Sequence, residues 1–98
     1  MTGTEIAFRL GPGSLARARV IADRLSGAAT NAIEHVLFVD EAVGEYGCLA
    51  VWDTPEDAAA YTAAPAVVDL IQELSAVTGK PARVRTYAME YQRGAYPR

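Results

Sequence analysis

The spacing of apolar and polar positions along the first third of the chain predicts a strand followed by a helix. Apolar and other side chains alternate with period two from Ile6 to Leu10, as in a half-buried strand. Apolar residues then recur at helical spacing from Leu15 to Leu25. Gly11-Pro12-Gly13 separates the two elements, and Ser14 stands where its hydroxyl can cap the helix. We expect the helix to end at Ser26-Gly27-Ala28.

The middle of the chain predicts a β-hairpin and a second helix. Residues that favour strands run from Ile33 to Val39 and again from Tyr46 to Trp52, separated by the polar turn Asp40–Glu45. Thr54-Pro55-Glu56-Asp57 combines a capping hydroxyl, a proline for the first helical turn and two carboxylates for the positive end of the helix dipole. A helix therefore begins there.

The last third predicts the end of this helix and a fourth strand. Pro65 lacks an amide donor and should kink or restart the helix, whose apolar stripe continues from Val67 to Val77. Thr78-Gly79-Lys80-Pro81 ends it. The last strand is predicted from Ala82 to about Tyr91, and Gln92–Arg98 forms a short polar tail.

The resulting order, β-α-β-β-α-β, is that of an α+β, ferredoxin-like domain spanning residues 1–98. Such a domain has a four-stranded antiparallel sheet with two helices on one face. The other face carries more apolar surface than a monomer normally exposes, and a second copy of the sheet would cover it. We therefore expect a homodimer.

Composition narrows the classes of function. Hydrophobic residues make up 51% of the 98 positions, but no apolar run is long enough to cross a bilayer. The net charge is −3 and the basic residues are scattered, so we expect neither nucleic-acid nor membrane binding. The single cysteine, Cys48, and the absence of a signal sequence favour a cytoplasmic protein. No motif for a metal or a cofactor is present, so neither is expected.

One segment carries a family resemblance. The stretch Gly44–Asp57, followed by Ala60-Tyr61, resembles the antibiotic biosynthesis monooxygenase family, in which a strand ends in Trp, an acidic residue and Ser/Thr before an acidic helix start. Gly11-Pro12-Gly13 and Gly79-Lys80-Pro81 match the same pattern. The resemblance implies a dimeric α/β barrel with a ligand pocket between helices and sheet in each subunit.

The resemblance also implies an activity, namely cofactor-independent oxygenation of an electron-rich aromatic molecule. Members that oxidise polyketides carry an Asn and a Tyr where this chain has Cys48 and Ala58. Members that degrade haem carry an Asn on the first strand, which this chain lacks, and a Trp where it has Tyr61. Haem degradation is therefore not expected.

Five residues are candidates for a reaction of this kind. His35, the only histidine, would be the general base, and Arg83 or Arg85 would stabilise the oxyanion. Trp52 and Tyr61 would form the walls of the pocket. The alternative for His35 is a structural hydrogen-bonded residue, for the arginines a polar part of the dimer interface, and for the two aromatic residues simple packing.

Two further residues share a strand face with Trp52. Tyr46 would bracket a ligand together with Trp52, or would pack in the core. Cys48 lies between them as a substrate-binding candidate or a small buried hydrophobe.

Three functions remain open from the sequence. The first is a homodimer that binds a small apolar or aromatic molecule and oxygenates it without a cofactor. The second is a non-catalytic ligand-binding or structural dimer. The third is an isomerase or a decarboxylase that uses the same base without O₂.

Overall fold

A computed structural model describes residues 1–93 and contains four strands and three helices. The elements are β1 (Thr2–Arg9), α1 (Leu15–Ala28), β2 (Glu34–Asp40), β3 (Glu45–Trp52), α2 (Pro55–Ala63), α3 (Pro65–Thr78) and β4 (Arg83–Ala88). The strands form one antiparallel sheet in the order β2-β3-β1-β4. The predicted ferredoxin-like α+β fold is confirmed.

The sheet has two chemically different faces. Residues that pair directly across neighbouring strands point to the same face, so the register assigns every strand residue. The helix face packs against all three helices and includes Thr4, Ile6, Phe8, His35, Leu37, Tyr46, Cys48, Ala50 and Trp52. The open face includes Glu5, Ala7, Arg9, Glu34, Val36, Phe38, Glu45, Leu49, Val51, Arg83, Arg85 and Tyr87.

The helices follow their local signals with one exception. Thr54 caps α2, because its Oγ1 accepts a hydrogen bond of 3.2 Å from the Asp57 amide. At Pro65 the helix restarts, as one of the two predicted outcomes: Ala64 is extended, so residues 1–93 contain three helices instead of two. The predicted cap at Ser14 is wrong, because the Ser14 hydroxyl makes no capping bond and instead donates to the Leu10 carbonyl at 3.2 Å.

Two strand boundaries differ from the prediction by more than one residue. β1 begins at Thr2 instead of Ile6, because its polar first half pairs with both β3 and β4 in the middle of the sheet. β4 ends at Ala88, before the predicted Tyr91. Of the predicted tail, residues 94–98 lie outside the described part of the chain. Within residues 1–93 no helix has the length and apolar character needed to cross a membrane.

Candidate functional site

The predicted site residues divide between the two faces of the sheet. His35, Tyr46, Cys48 and Trp52 lie on the helix face, where Tyr61 of α2 packs in the same core. Arg83 and Arg85 lie on the open face, opposite Ala7 and Glu5 of β1. Because the sheet itself separates the two groups, neither arginine reaches the helix-face residues of its own protomer.

Trp52 and Tyr61 form an aromatic pair at the carboxyl end of β3. Their ring centroids are 5.1 Å apart and the rings are tilted by 50°. Both side chains are buried, and the indole Nε1 of Trp52 donates a hydrogen bond of 3.2 Å to Oγ1 of Thr4. The polar group of Trp52 is therefore already paired inside the core. Thr4 was missed from the sequence because it precedes the predicted start of β1.

His35 stands close to this pair along the sheet. It lies directly opposite Ala50, which is the helix-face residue between Cys48 and Trp52. The side chain is half-buried, and its Nε2 is buried without a hydrogen-bond partner among residues 1–93. Burial lowers the pKa of His35, because the charged imidazolium loses its hydration. The imidazole is therefore neutral near pH 7 and able to accept a proton.

Burial also keeps the other two ionisable groups of this cluster neutral. Desolvation raises the pKa of Cys48 to about 12, so its thiol is not a nucleophile at neutral pH. The pKa of Tyr61 is raised as well, first by burial and then by the nearby Cys48. We name the four residues His35, Cys48, Trp52 and Tyr61 the helix-face cluster.

Tyr46 joins two loops at the opposite end of β3. Its hydroxyl donates to the Glu41 carboxylate and accepts a hydrogen bond of 3.0 Å from the Ser14 amide. Burial, followed by the bond to Glu41, raises the pKa of Tyr46. Glu41 also accepts a hydrogen bond from the Gly13 amide at 3.0 Å. These contacts make Tyr46 a structural link between the loop after β1 and the β2–β3 turn.

The two arginines of β4 have partners on the open face. Nη2 of Arg83 lies 3.7 Å from Oε1 of Glu45, and the Arg85 guanidinium lies 5.1 Å from the ring centroid of Tyr87. The Tyr87 hydroxyl in turn donates to Glu5 at 2.9 Å. The guanidinium groups of both arginines therefore contact side chains of the open face.

Four surface clefts surround the core. The largest, about 480 Å³, lies on the open face between Phe38, Leu49, Tyr87 and Met89. A groove of about 230 Å³ separates α1 from α3. Two clefts, of about 410 and 180 Å³, flank Arg9 and Lys80. None of these four is lined by a residue of the helix-face cluster, in which Cys48, Trp52 and Tyr61 are buried in the core.

Comparison with solved structures gives full-length matches at low sequence identity. A protein of Deinococcus radiodurans named as a candidate antibiotic biosynthesis monooxygenase has a TM-score of 0.77 and 14% identity, over 99% of this chain and 100% of that one. Rv0793 of Mycobacterium tuberculosis has a TM-score of 0.72 and 11% identity, with 95% and 98% covered.

A third match has a named activity. SnoaB of Streptomyces nogalater, a cofactor-independent oxygenase, has a TM-score of 0.64 and 14% identity to this chain, with 96% of each chain covered. No family model matches the sequence, and no curated protein matches it either. Since these matches cover at least 90% of both chains with TM-scores of 0.64 to 0.77, this chain has the fold of the antibiotic biosynthesis monooxygenase family.

Proposed function

We propose that the chain forms a homodimer through the open face of its sheet. This face carries exposed apolar side chains, with Val36 and Phe38 exposed to 39% and 37%. Phe38 and Met89, which line the cleft of about 480 Å³ on this face, also cover two glycines: an added Cβ would lie 2.2 Å from the Phe38 ring at Gly47 and 2.2 Å from Met89 Sδ at Gly3. A sheet face with exposed apolar side chains of this kind is suited to pack against another sheet.

The charges on the open face support a particular arrangement of the two copies. Acidic Glu34 and Asp40 lie on the edge strand β2, whereas Arg83 and Arg85 lie on the opposite edge strand β4. A two-fold axis parallel to the strands places β2 of one protomer over β4 of its partner. Acidic and basic edges then face each other twice, as a symmetric interface requires.

We further propose that the helix-face cluster binds a small aromatic molecule and that His35 is the base of a cofactor-independent oxygenation. The observation that carries this proposal is the buried, unpartnered Nε2 of His35, on the sheet face it shares with Trp52. A buried polar atom without a partner is uncommon in a folded protein and is concentrated at functional sites.

The cytoplasmic location remains a prediction from the sequence.

The chemistry would use the electrons of the substrate. His35 would accept a proton from an acidic C–H or phenolic O–H group, and the resulting anion would transfer electrons to O₂. One oxygen atom would enter the product and the other would leave as water. Because Cys48, Trp52 and Tyr61 are buried, they would exclude water from the anion. Binding requires these packed side chains to move apart.

A ligand screen followed by oxygen measurement tests the proposal. Phenols, quinones and polyketide-like aromatics are added to the purified protein, and its melting temperature is recorded. A ligand at 100 times its Kd stabilises the fold by about 2.7 kcal/mol, several degrees in a domain of this size. We expect His35→Gln to abolish O₂ consumption with the best compound. Val39→Ala, at an exposed position of the same strand, should retain it.

The outcome separates the remaining functions. Turnover by His35→Gln at the rate of the parent protein would remove His35 from the mechanism. Product formed without O₂ would instead identify an isomerase or a decarboxylase.

A second candidate is a non-catalytic dimer, and two observations favour it. The indole N–H of Trp52 is already bonded to Thr4, and the helix-face cluster lines none of the four clefts described above. A protein of this kind would remain dimeric in light scattering but would show no thermal shift with any aromatic compound.

A further inference from the structure

The cleft of about 410 Å³ lies at the end of the sheet where β1 stops, away from the helix-face cluster. Four segments build it: the end of β1 with the following loop, the first turns of α1, the β2–β3 turn, and the end of α3 with the turn that follows it. Its lining residues are Arg9, Leu10, Gly11, Arg17, Val43, Val77, Thr78 and Lys80. Glu45, which is paired with Arg9 of the cleft, and Trp52 of the cluster stand at opposite ends of β3, about 20 Å apart.

The charges in this cleft are all of one sign. Three of its eight lining residues are cations and none is acidic, although the whole chain has a net charge of −3. Arg9 is paired with Glu45 at 3.2 Å, at the border with the neighbouring cleft. Arg17 and Lys80 make no ion pair within residues 1–93. Like charges held close together repel one another, and an anion between them would relieve that repulsion.

The carboxylate of Glu41, in the adjoining β2–β3 turn, already accepts hydrogen bonds from other groups. Glu41 lies in the β2–β3 turn, where its Oε1 accepts hydrogen bonds from the Tyr46 hydroxyl and the Gly13 amide. It is therefore held by these two donors instead of neutralising the cations of the cleft.

The floor of the cleft is fixed by backbone contacts. The amides of Leu10 and Gly11 both donate to the Gly44 carbonyl, at 3.0 and 3.2 Å. Gly44 lies so close to Gly11 that an added Cβ would stand 2.0 Å from its carbonyl carbon. These contacts hold the loop after β1 against the β2–β3 turn, so Arg9 and Val43 have fixed backbone positions.

The opposite wall is fixed in a similar way. Gly79 ends α3 in the left-handed conformation, with φ of 71°. The Thr78 hydroxyl donates to the Leu74 carbonyl at 2.8 Å and accepts from the Lys80 amide at 3.2 Å. The backbone of Lys80 is therefore anchored to the helix end. Binding therefore has to order the exposed side chain of Lys80 but not its backbone.

We propose that this cleft binds a small organic phosphate. Three cations from three segments line the cleft, and two of them, Arg17 and Lys80, make no ion pair within residues 1–93. A tetrahedral phosphate offers more oxygens to such a set than a planar carboxylate, and guanidinium groups bind phosphate through paired hydrogen bonds. Leu10, Val43 and Val77 line the same cleft and provide an apolar contact for the organic part. Its volume is within the range of small-molecule sites.

Titration with phenyl phosphate, followed by amide NMR spectra of the full chain, tests this site. We expect shifts at Gly11, Val43 and Lys80 and none at His35 or Trp52. Phenyl phosphate should bind more tightly than three comparison compounds. Inorganic phosphate supplies only the anion, benzyl alcohol supplies only the apolar ring, and phthalate supplies two carboxylates in place of the phosphate.

Substitutions of basic residues inside and outside the cleft distinguish a defined binding site from non-specific attraction of an anion to the protein. The double variant Arg17→Gln/Lys80→Gln should weaken phenyl phosphate binding about tenfold. Arg19→Gln removes the same kind of charge from an exposed position of α1 that lines none of the four clefts, and should leave the Kd unchanged. Equal weakening by Arg19→Gln, or shifts spread over all basic residues, would overturn the proposal. So would binding of phthalate as tight as that of phenyl phosphate.

Discussion

Single residues in this fold are constrained by contacts that the sequence does not display. The sequence places Gly44 in a polar turn, where many residues would serve. In the structure its φ is 71° and it touches the backbone of Gly11 across the β2–β3 turn. The partner lies more than thirty positions away, so only the folded sheet shows why glycine is needed there.

Two glycine variants test whether the contact at Gly44 requires glycine, because Gly27 has no such contact. Gly44→Ala forces a side chain into the left-handed region and against backbone atoms, so we expect a loss of about 2 kcal/mol or more in the free energy of unfolding. Gly27→Ala, in α1, meets open space and should gain about 0.5–1 kcal/mol from helix propensity. Urea unfolding of both variants checks the prediction. Equal midpoints would show that the contact at Gly44 relaxes without cost.

A second residue-scale prediction concerns pH. Burial lowers the folded-state pKa of His35, whereas the unfolded imidazole titrates near its usual 6.5. Below that pH the unfolded chain binds more protons than the folded one, so the free energy of unfolding should fall as the pH drops from 7.5 to 5.5. His35→Gln should reduce this fall, measured by urea midpoints at fixed protein concentration. Parallel curves for both proteins would exclude His35 as a source of the pH dependence.

At the scale of elements, the sequence predicts a helix start correctly where the residues that cap the helix are adjacent to it in the chain. Thr54, Pro55 and the following carboxylates satisfy the first amides of α2 without help from distant residues, and this helix start is confirmed. Ser14 has the same type of side chain, yet its hydroxyl donates a hydrogen bond to the Leu10 carbonyl and its amide donates one to the Tyr46 hydroxyl. A tertiary contact therefore replaces the local cap, which no pattern within α1 indicates.

The cap of α2 can be tested alone. Thr54→Ala removes the acceptor of the Asp57 amide and should cost about 1 kcal/mol in the free energy of unfolding. In a domain of about this size that corresponds to roughly 4–8 °C in Tm. Thr54→Ser retains a hydroxyl and should unfold close to the parent Tm. If both variants lost the same stability, packing of the Thr54 methyl group would be responsible instead of the cap.

At the scale of the whole molecule, the sequence predicts the fold more completely than the site. The period-two pattern of each strand correctly groups Tyr46 with Trp52 and Arg83 with Arg85. The pattern does not predict which of these two groups of residues packs against the helices, because that depends on how β1 pairs with both β3 and β4. The predicted site joins residues that the register places on opposite faces, namely His35 and Arg85.

The last prediction concerns the proposed dimer, in which charged residues of the open face meet those of the partner. Glu34 has a buried Oε2 without a hydrogen-bond partner among the described residues of its own protomer. With β2 packed over the partner's β4, this oxygen would face a basic edge that carries Arg85. Arg85→Glu and Glu34→Arg should each shift the dimer toward monomer in light scattering, because each places like charges together.

The double variant decides whether the two edges meet. Arg85→Glu/Glu34→Arg exchanges the signs and should restore the dimer, whereas Arg19→Glu, on the outer surface of α1, should leave it unchanged. Far-ultraviolet circular dichroism of each variant checks that the protomer remains folded. A double variant as monomeric as the single ones would exclude the pairing of β2 with the partner's β4. An interface in which β2 lies over the partner's β2 predicts the opposite for Glu34→Asn: removing two facing carboxylates would tighten that dimer, whereas it would weaken the one proposed here.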